Sequence, residues 1–291
     1  MPRGTRGRSP REAGITSPDE GTKTGGVPRP RALTIAGSDS GGGAGIQADL
    51  KTFSALGVFG MTAITAVTVQ NTKGVSGYEE LSPETVGNQI RAVATDIGVD
   101  AAKTGMLAST PIVEAVAEAL SQTHIANLVV DPVFVSKHGN ALLARDAVTA
   151  LRERVLPLAT LVTPNLPEAS ELIGFRIDSR ELMARAAREL HKYGPGAVLV
   201  KGGHLENEGA PDVFFDGIRE EWLNCGRIRT PHTHGTGCTL SAAITAYLAK
   251  GWGLFDAVRG GKSFVTEAIR NALPFGHGIG PVDQLWSIPT A

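Results

Sequence analysis

Short apolar segments alternate with segments of helical periodicity along this chain, and that alternation restricts its fold more than any other feature. The predicted strands are residues 32–36, 61–69, 101–103, 128–130, 161–162 and 197–200, the first of them ending at Gly37. The predicted helices are residues 46–56, 84–97, 111–120, 145–155, 179–193, 237–250 and 255–273. Strands that alternate with helices form βα units, so the sequence predicts an α/β fold in which helices flank a mostly parallel central sheet.

Two parts of the chain depart from that alternation. Residues 213–215 and 221–223 flank an Asp216-Gly217 pair, which predicts a β-hairpin. Residues 1–30 combine arginines, glycines and prolines with almost no apolar side chains, and we expect a disordered extension without a part in the chemistry. No repeat or linker divides the rest, so residues 31–291 are expected to form a single domain.

Charge and cysteine content narrow the class of protein. The formal net charge of the chain is −1, which argues against nucleic acid or a membrane surface as a partner. No apolar run is long enough to predict a membrane-spanning helix. The chain has two cysteines, which are too few for a disulfide framework, so we expect a cytoplasmic protein.

Polar residues follow the predicted strands at the points where those strands end. They are Gly37, Ser38 and Asp39, then Gln70 and Asn71, then Asp131, then Asn165 and Glu168, and finally Lys201. Because open α/β sheets bind ligands beyond the carboxyl ends of their strands, we expect these residues to converge on one cleft.

The glycine-rich loop over residues 37–45 is the first element of that predicted cleft. It has neither the lysine pattern of a Walker A motif nor the clean spacing of a dinucleotide-binding fingerprint. Two interpretations stay open: a structural turn, or close approach of the backbone to a substrate that a mobile flap covers.

A second loop of small residues, 233–239, leads directly into an apolar helical stretch. Gly235 and Gly237 allow the backbone to turn its N–H groups inward, and the helix dipole adds positive potential, as a phosphoryl group in transfer requires. Cys238 falls on the first helical turn, where the same dipole favours its thiolate. The alternative is that Cys238 is a small buried hydrophobic side chain.

Asn165 and Glu168 stand three residues apart at a predicted helix start. This spacing places an amide and a carboxylate on one side, where they can hold hydrated Mg²⁺. The same spacing fits an N-cap residue with its capping-box glutamate. Asp131 precedes a proline at a strand end and fits either a carboxylate near a metal or a turn residue.

Together these motifs resemble, in order and in spacing, those of the hydroxymethylpyrimidine and phosphomethylpyrimidine kinases. The resemblance runs from about residue 31 to the C-terminus and rests on seven motifs. They are residues 34–39 with 42–52, then 68–72, 103–107, 163–169, 200–204, 234–241 and 276–282. The resemblance implies a ribokinase-like three-layer fold, a homodimer, and Mg²⁺ and ATP as cofactors. It also implies two successive transfers from ATP, first to 4-amino-5-hydroxymethyl-2-methylpyrimidine and then to its monophosphate, which yield the diphosphate used in thiamine synthesis.

The resemblance also implies which residues bind the pyrimidine. Gln70 reads the edge of the ring, a task that suits an amide because it donates and accepts hydrogen bonds at once. Gly37, Asp49 and Met106 line the same pocket by this resemblance.

Catalytic and nucleotide-binding roles follow from the same resemblance. Cys238 occupies the place of an aspartate in the sugar-kinase relatives and is the implied base for the substrate hydroxyl. The implied anion hole is made by the backbone amides of Gly235, Thr236, Gly237 and Cys238. Lys201 contacts the ATP phosphates, and Asn165 and Glu168 organise Mg²⁺ with Asp131 nearby.

Two alternatives stay open from the sequence. A pyridoxal or pyridoxine kinase has the same fold and also binds a flat heterocycle with a hydroxymethyl group, although Gln70 and the run that ends at Cys238 favour the pyrimidine enzyme. A non-catalytic pyrimidine-binding regulator is expected to have lost Cys238, Lys201 or Glu168, and the chain retains all three.

Overall fold

The computed structural model describes Met1 and residues 29–134, 145–205 and 209–289. The predicted extension over residues 1–30 lies outside the described residues except for Met1, Arg29 and Pro30.

One sheet organises the part of the chain that the structure describes, and within that part it has nine strands in the order β3-β2-β1-β4-β5-β6-β7-β8-β9. The strands are β1 (Arg31–Asp39), β2 (Phe59–Asn71), β3 (Gly74–Glu80), β4 (Ala101–Thr104), β5 (Leu128–Val130), β6 (Leu161–Val162), β7 (Val198–Lys201), β8 (Asp212–Phe215) and β9 (Glu220–Leu223). Strands β2, β1, β4, β5, β6 and β7 run parallel, while β3, β8 and β9 are antiparallel additions at the two edges. The predicted α/β class with a mostly parallel sheet is confirmed.

Helices cover both faces of this sheet. They are α1 (Gly45–Ala55), α2 (Pro83–Asp96), α3 (Thr110–Thr123), α4 (Arg145–Ala150), α5 (Leu166–Ile173), α6 (Arg180–His191), α7 (Thr236–Ala249) and α8 (Leu254–Arg270). A π-helical turn (Leu151–Val155) and a 3-10 turn (Leu156–Leu158) continue α4.

The alternation of side chains along the strands explains the three layers. Val129 and Leu161 pack toward α7 and α8, whereas Val130 and Val162, one residue further along each strand, pack into the cluster that contains α2, α3, α5 and α6. Helix α1 joins α7 on the first face, where Phe53 is fully buried. Strands buried on both faces have continuous apolar runs, which is the pattern of the central segments here.

Local signals set several helix starts. The Ser82 hydroxyl accepts the N–H of Thr85 at 3.2 Å, and Pro83 occupies the first turn of α2, as the Ser-Pro pair predicts. Among the described residues, no helix is both long enough and apolar enough to cross a bilayer.

Two strand predictions differ from the structure. Strand β1 does not end at Gly37 but continues to Asp39, because Ser38 pairs with Val67 beyond a register shift. Strand β3 was not predicted, because this exposed edge strand contains glycines and glutamates in place of an apolar alternation. The hairpin of β8 and β9 is confirmed.

Candidate functional site

A cavity of about 1170 Å³ opens at the carboxyl ends of the parallel strands. Its lining includes the predicted residues Gly37, Gln70, Met106, Asp131, Asn165, Glu168, Lys201, Gly235, Thr236, Gly237 and Cys238. The sheet therefore brings together every predicted site residue except Asp49. Pockets for one small molecule measure about 300–1,000 Å³, so this cavity has room for two substrates side by side.

Asp39, at the end of β1, shapes the glycine-rich loop. Its carboxylate accepts the backbone N–H groups of Gly41 at 2.8 Å, Gly43 at 3.0 Å and Ala44 at 2.8 Å. Burial alone would raise the pKa of Asp39, but the bond to His234 and the loop amides outweigh it and lower the pKa. The loop is thus a fixed structure built around an ionised carboxylate.

His234 and Gln70 meet beside this carboxylate. His234 Nε2 lies 2.9 Å from Asp39 Oδ2 and 3.2 Å from Gln70 Nε2. Sequence reasoning placed Asp39 among the residues of the cleft but gave no role in the site to Asp39 or His234. For Asp39 the sequence did contain a signal, because an aspartate at the end of a strand and directly before a run of glycines can bind the backbone N–H groups of that loop.

Gly37 and Met106 form another part of the same wall. A Cβ atom at Gly37 would lie 3.1 Å from the Met106 sulfur, so the missing side chain makes room for the methionine. Three of the four residues predicted to bind the pyrimidine, Gly37, Gln70 and Met106, therefore line one cavity.

Asp49 is the fourth, and the structure places it beneath the cavity instead of in its wall. It is fully buried on α1, where its carboxylate accepts the Thr34 hydroxyl at 2.6 Å and pairs with Lys103 Nζ at 3.0 Å. Burial raises the pKa of Asp49 in spite of the nearby Lys103 ammonium. Lys103 is also fully buried, and this ion pair supports the floor of the site.

The chain turns sharply at the start of α7. Gly235 is its N-cap residue with a φ of 82°, in the left-handed region. A Cβ atom there would lie 1.8 Å from the Gly43 carbonyl oxygen, and one at Gly237 would lie 3.5 Å from Asp131 Oδ2. The first turn of α7 therefore touches the glycine-rich loop on one side and faces the charged residues on the other.

Gly235→Ala is expected to reduce the free energy of unfolding by about 3 kcal/mol or more, because the new methyl group meets both a strained φ and the Gly43 oxygen. Gly57→Ala is the matched control, since Gly57 has a φ of +72° but open space around its Cβ position, and its expected cost is about 1–2 kcal/mol. Urea unfolding of both variants measures the difference. Equal losses would contradict the close contact between α7 and the loop.

Cys238 lines the cavity on the first turn of α7. Burial raises the pKa of its thiol to about 12, although the Lys103 ammonium acts in the opposite direction. This raised pKa differs from the expectation that the thiolate is favoured at the helix start, because burial and the nearby carboxylates of Asp49 and Asp131 favour the neutral thiol.

Lys201 lies between two buried carboxylates. Its Nζ is 2.8 Å from Asp131 Oδ1 and 4.0 Å from Glu168 Oε2. Asp131 also accepts the hydroxyl groups of Thr163 at 3.1 Å and Ser241 at 3.3 Å. We call Lys201, Asp131 and Glu168 the charged cluster.

The charged cluster has more negative than positive charge. Burial raises the pKa of Glu168 to about 7, with Asp131 adding to the effect and Lys201 opposing it. Burial alone would raise the pKa of Asp131 too, but Lys201 and Lys103 hold it below its usual range. Lys201 alone therefore does not balance both carboxylates once Glu168 is ionised.

Asn165 and Glu168 form a capping box at the start of α5. Asn165 Oδ1 accepts the N–H of Glu168 at 2.9 Å, and Glu168 Oε2 accepts the N–H of Asn165 at 2.7 Å. The capping interpretation of this pair is confirmed. It leaves the side chains at the edge of the cavity, where both still line its wall.

Comparison with known proteins agrees with this geometry. The profile of the family described as phosphomethylpyrimidine kinase matches residues 39–283. A hydroxymethylpyrimidine/phosphomethylpyrimidine kinase of Streptomyces coelicolor is 54% identical over 262 residues, which cover 90% of this chain and 97% of that protein.

Solved structures with the same fold include both activities considered from the sequence. A pyridoxal kinase of Bacillus subtilis, solved as an ADP complex, has a TM-score of 0.83 and 43% identity over 88% of this chain and 98% of its own. A phosphomethylpyrimidine kinase of Clostridium difficile has a TM-score of 0.74 and 46% identity over 82% of this chain and 99% of its own. The fold is thus the ribokinase-like fold, and the chain belongs to the phosphomethylpyrimidine kinase family.

Proposed function

We propose that this protein transfers a phosphoryl group from ATP to the hydroxyl group of 4-amino-5-hydroxymethyl-2-methylpyrimidine, and then from a second ATP to the resulting monophosphate. The observation that carries the proposal is one cavity with Gln70 and Met106 in its wall, the charged cluster in another part of the same wall, and the first turn of α7 between them. The named activities of its relatives, including one bifunctional protein of thiamine biosynthesis, support it.

The acceptor binds beside Gln70, Gly37 and Met106 in this proposal. An aminopyrimidine edge has a ring nitrogen that accepts and an amino group that donates, and a primary amide complements both. Gln70 is half-buried. A heterocycle whose edge does not match the Gln70 amide would leave buried polar groups without hydrogen bonds, so the site should discriminate strongly between heterocycles.

The first turn of α7 stabilises the transferring group. Thr236, Gly237 and Cys238 line the cavity at the N-terminus of a 14-residue helix, where the backbone N–H groups of Gly237 and Cys238 and the helix dipole oppose the charge on the phosphoryl oxygens. The Thr236 N–H instead donates to the Thr233 carbonyl at 3.4 Å. The thiolate form of Cys238, a small fraction at neutral pH because its pKa is raised to about 12, accepts the proton of the attacking hydroxyl group as the bond between the γ-phosphoryl group and ADP breaks. Because phosphoryl transfer depends mainly on positioning and charge stabilisation, this proton transfer can come late along the reaction.

The charged cluster fits the phosphate end of ATP with Mg²⁺. Its donor set is oxygen only, from Asp131 and Glu168 with the Asn165 amide adjacent, and its excess negative charge matches a hard divalent cation that also binds phosphate and water. Bound Mg²⁺ would supply neutralisation of the developing charge between the β- and γ-phosphates. Lys201, fixed by Asp131, is placed to contact the phosphates.

Two alternatives bear on this proposal differently. The pyridoxal kinase structures with a TM-score of 0.83 keep a pyridoxal or pyridoxine kinase as the second candidate. The non-catalytic regulator is disfavoured, because Cys238, Lys201 and Glu168 all line the same cavity.

The test is incubation of the purified protein with Mg-ATP and, in separate reactions, hydroxymethylpyrimidine, its monophosphate or pyridoxine, with products resolved by mass. We expect the pyrimidine monophosphate and diphosphate, and loss of both products when EDTA removes Mg²⁺. Turnover of pyridoxine alone would replace the substrate assignment, and turnover of no acceptor would support the binding protein.

The homodimer and the cytoplasmic location stay predictions. Light scattering of the purified protein tests the first, with twice the chain mass of 30.3 kDa as the expected result.

A further inference from the structure

The hydrogen-bond partner of His234 Nε2, the Asp39 carboxylate, determines that this nitrogen carries a proton. Asp39 already accepts three backbone N–H groups and is ionised, so its carboxylate can only accept. His234 Nε2, 2.9 Å from Asp39 Oδ2, must therefore carry a hydrogen and donate it.

This proton decides how the Gln70 amide is oriented. The amide atom beside His234 lies 3.2 Å from Nε2, and a nitrogen there would place two donors against each other. The other amide atom lies 3.3 Å from the Thr68 hydroxyl, whose single proton is donated to the Ser38 carbonyl at 2.8 Å. Amide nitrogen and oxygen are assigned from their partners. Oxygen toward His234 shares the Nε2 proton with Asp39, and nitrogen toward Thr68 donates to the hydroxyl oxygen, so this orientation removes the opposed donors.

His234 itself is held from the opposite side by residues 276–282, a sequence motif to which no role has been given so far. The Gly280 carbonyl accepts the His234 N–H at 3.1 Å, and the Val282 N–H donates to the His234 carbonyl at 3.0 Å. A Cβ atom at Gly43 would lie 2.6 Å from the His234 ring and 2.8 Å from Pro281, so the ring is packed as well as bonded. His234 is a fixed group and not a mobile one.

We propose that His234, held by Asp39 and the C-terminal motif, is a positioning residue that fixes the Gln70 amide in one orientation and thereby determines which heterocycle edge the site accepts. The inference rests on the proposed function, in which Gln70 reads the pyrimidine. With its inner partners satisfied, the amide has one N–H and one oxygen lone pair left. An amino group beside a ring nitrogen complements this pair, whereas a carbonyl beside a ring N–H requires the opposite orientation.

The test compares the substrate with its 4-oxo analogue, which reverses donor and acceptor on that edge. Wild-type protein is expected to prefer the amino compound in kcat/KM by about tenfold or more. In His234→Phe the amide is free to turn, so this preference is expected to fall by about tenfold, mainly through improved use of the analogue. His124→Phe, a change at an exposed histidine at the end of α3, is the control and should keep the wild-type ratio.

An unchanged ratio in folded His234→Phe would overturn the inference, while failure of the wild-type protein to phosphorylate the amino compound would instead overturn the proposed function. If His234→Phe does not fold, NMR of the wild-type protein decides, with the Gln70 side-chain amide resonance identified by its absence in Gln70→Glu. The amide protons should show contacts to the Thr68 methyl group. Contacts to the His234 ring in their place would refute the orientation.

Discussion

Replacing Cys238 with alanine is expected to lower kcat for the phosphorylation of the hydroxyl group by about 10²–10⁴-fold, the usual range for loss of a general base. The second transfer should lose much less, because the attacking phosphate oxygen has no proton to give up at neutral pH. The KM values for ATP and the pyrimidine should change little, because Gln70 and the charged cluster remain in place. Steady-state kinetics with each acceptor measures the effect. A loss below about threefold would show that the proton leaves without help from this residue and that positioning carries the catalysis.

The pH profile gives a sharper version of this test. With the pKa of the thiol raised to about 12, the thiolate fraction grows with pH throughout the accessible range, so kcat/KM should rise between about pH 6 and 9. Cys238→Asp is the matched variant, because a carboxyl group ionises at a lower pH than a thiol in the same surroundings, so its profile should level off at a lower pH than that of the wild-type protein. A flat profile in the wild-type protein would contradict a thiolate base.

Replacing Lys201 with methionine is expected to cause the second large loss. It removes the cation that lies between the buried Asp131 and Glu168, and removal of one partner from a buried ion pair costs about 3–5 kcal/mol of the free energy of unfolding. The rate should fall by about 10²–10³-fold, as for the loss of one preorganised charge at a transition state. Urea unfolding and kinetics together measure both effects.

The direction of the pH dependence in Lys201→Met follows from the pKa shifts. Burial already raises the pKa of Glu168 to about 7 with Lys201 present, and loss of the ammonium raises it further. A carboxyl group whose pKa is higher in the folded state binds more protons when folded, so it costs stability as pH rises above its unfolded value. The variant should therefore regain stability relative to the wild-type protein between pH 8 and pH 5.5.

The control for Lys201 is Lys192→Met, which removes the exposed pair between Lys192 and Glu189. Exposed ion pairs contribute about 0–1 kcal/mol, so little change is expected at either pH. A similar loss in the two variants would contradict the account of the charged cluster.

The sequence predicted the placement of the cleft because its signals are local. Each strand end is marked by a change from apolar to polar residues, and parallel pairing then brings those ends to one edge of the sheet. Short segments of at most four residues likewise determine where two helices begin. They are Ser82 and Pro83 at the start of α2 and the capping box at the start of α5.

The burial of Asp49 could have been predicted from the sequence. Asp49 lies three residues after Ile46 and four before Phe53, so helical spacing places it on the apolar face of α1. A lysine in the middle of a buried strand, Lys103 on β4, was the partner that made this burial possible. The two facts together predict a buried ion pair.

Other features depend on tertiary contacts that no local pattern contains. Asp39 and His234 are 195 residues apart in sequence, and their contact appears only when the glycine-rich loop meets the start of α7. The raised pKa of Cys238 has the same origin, since the helix dipole is a local property but burial of the thiol is not. Strand β3 was not predicted, because an edge strand does not need alternating apolar side chains.

The central claim is that the cavity selects a pyrimidine, and a direct competition tests it. Hydroxymethylpyrimidine and pyridoxine are mixed at equal concentration with limiting Mg-ATP, and the phosphorylated products are separated by mass. The account predicts pyrimidine monophosphate and diphosphate as the main products. Pyridoxine phosphate as the main product would contradict it.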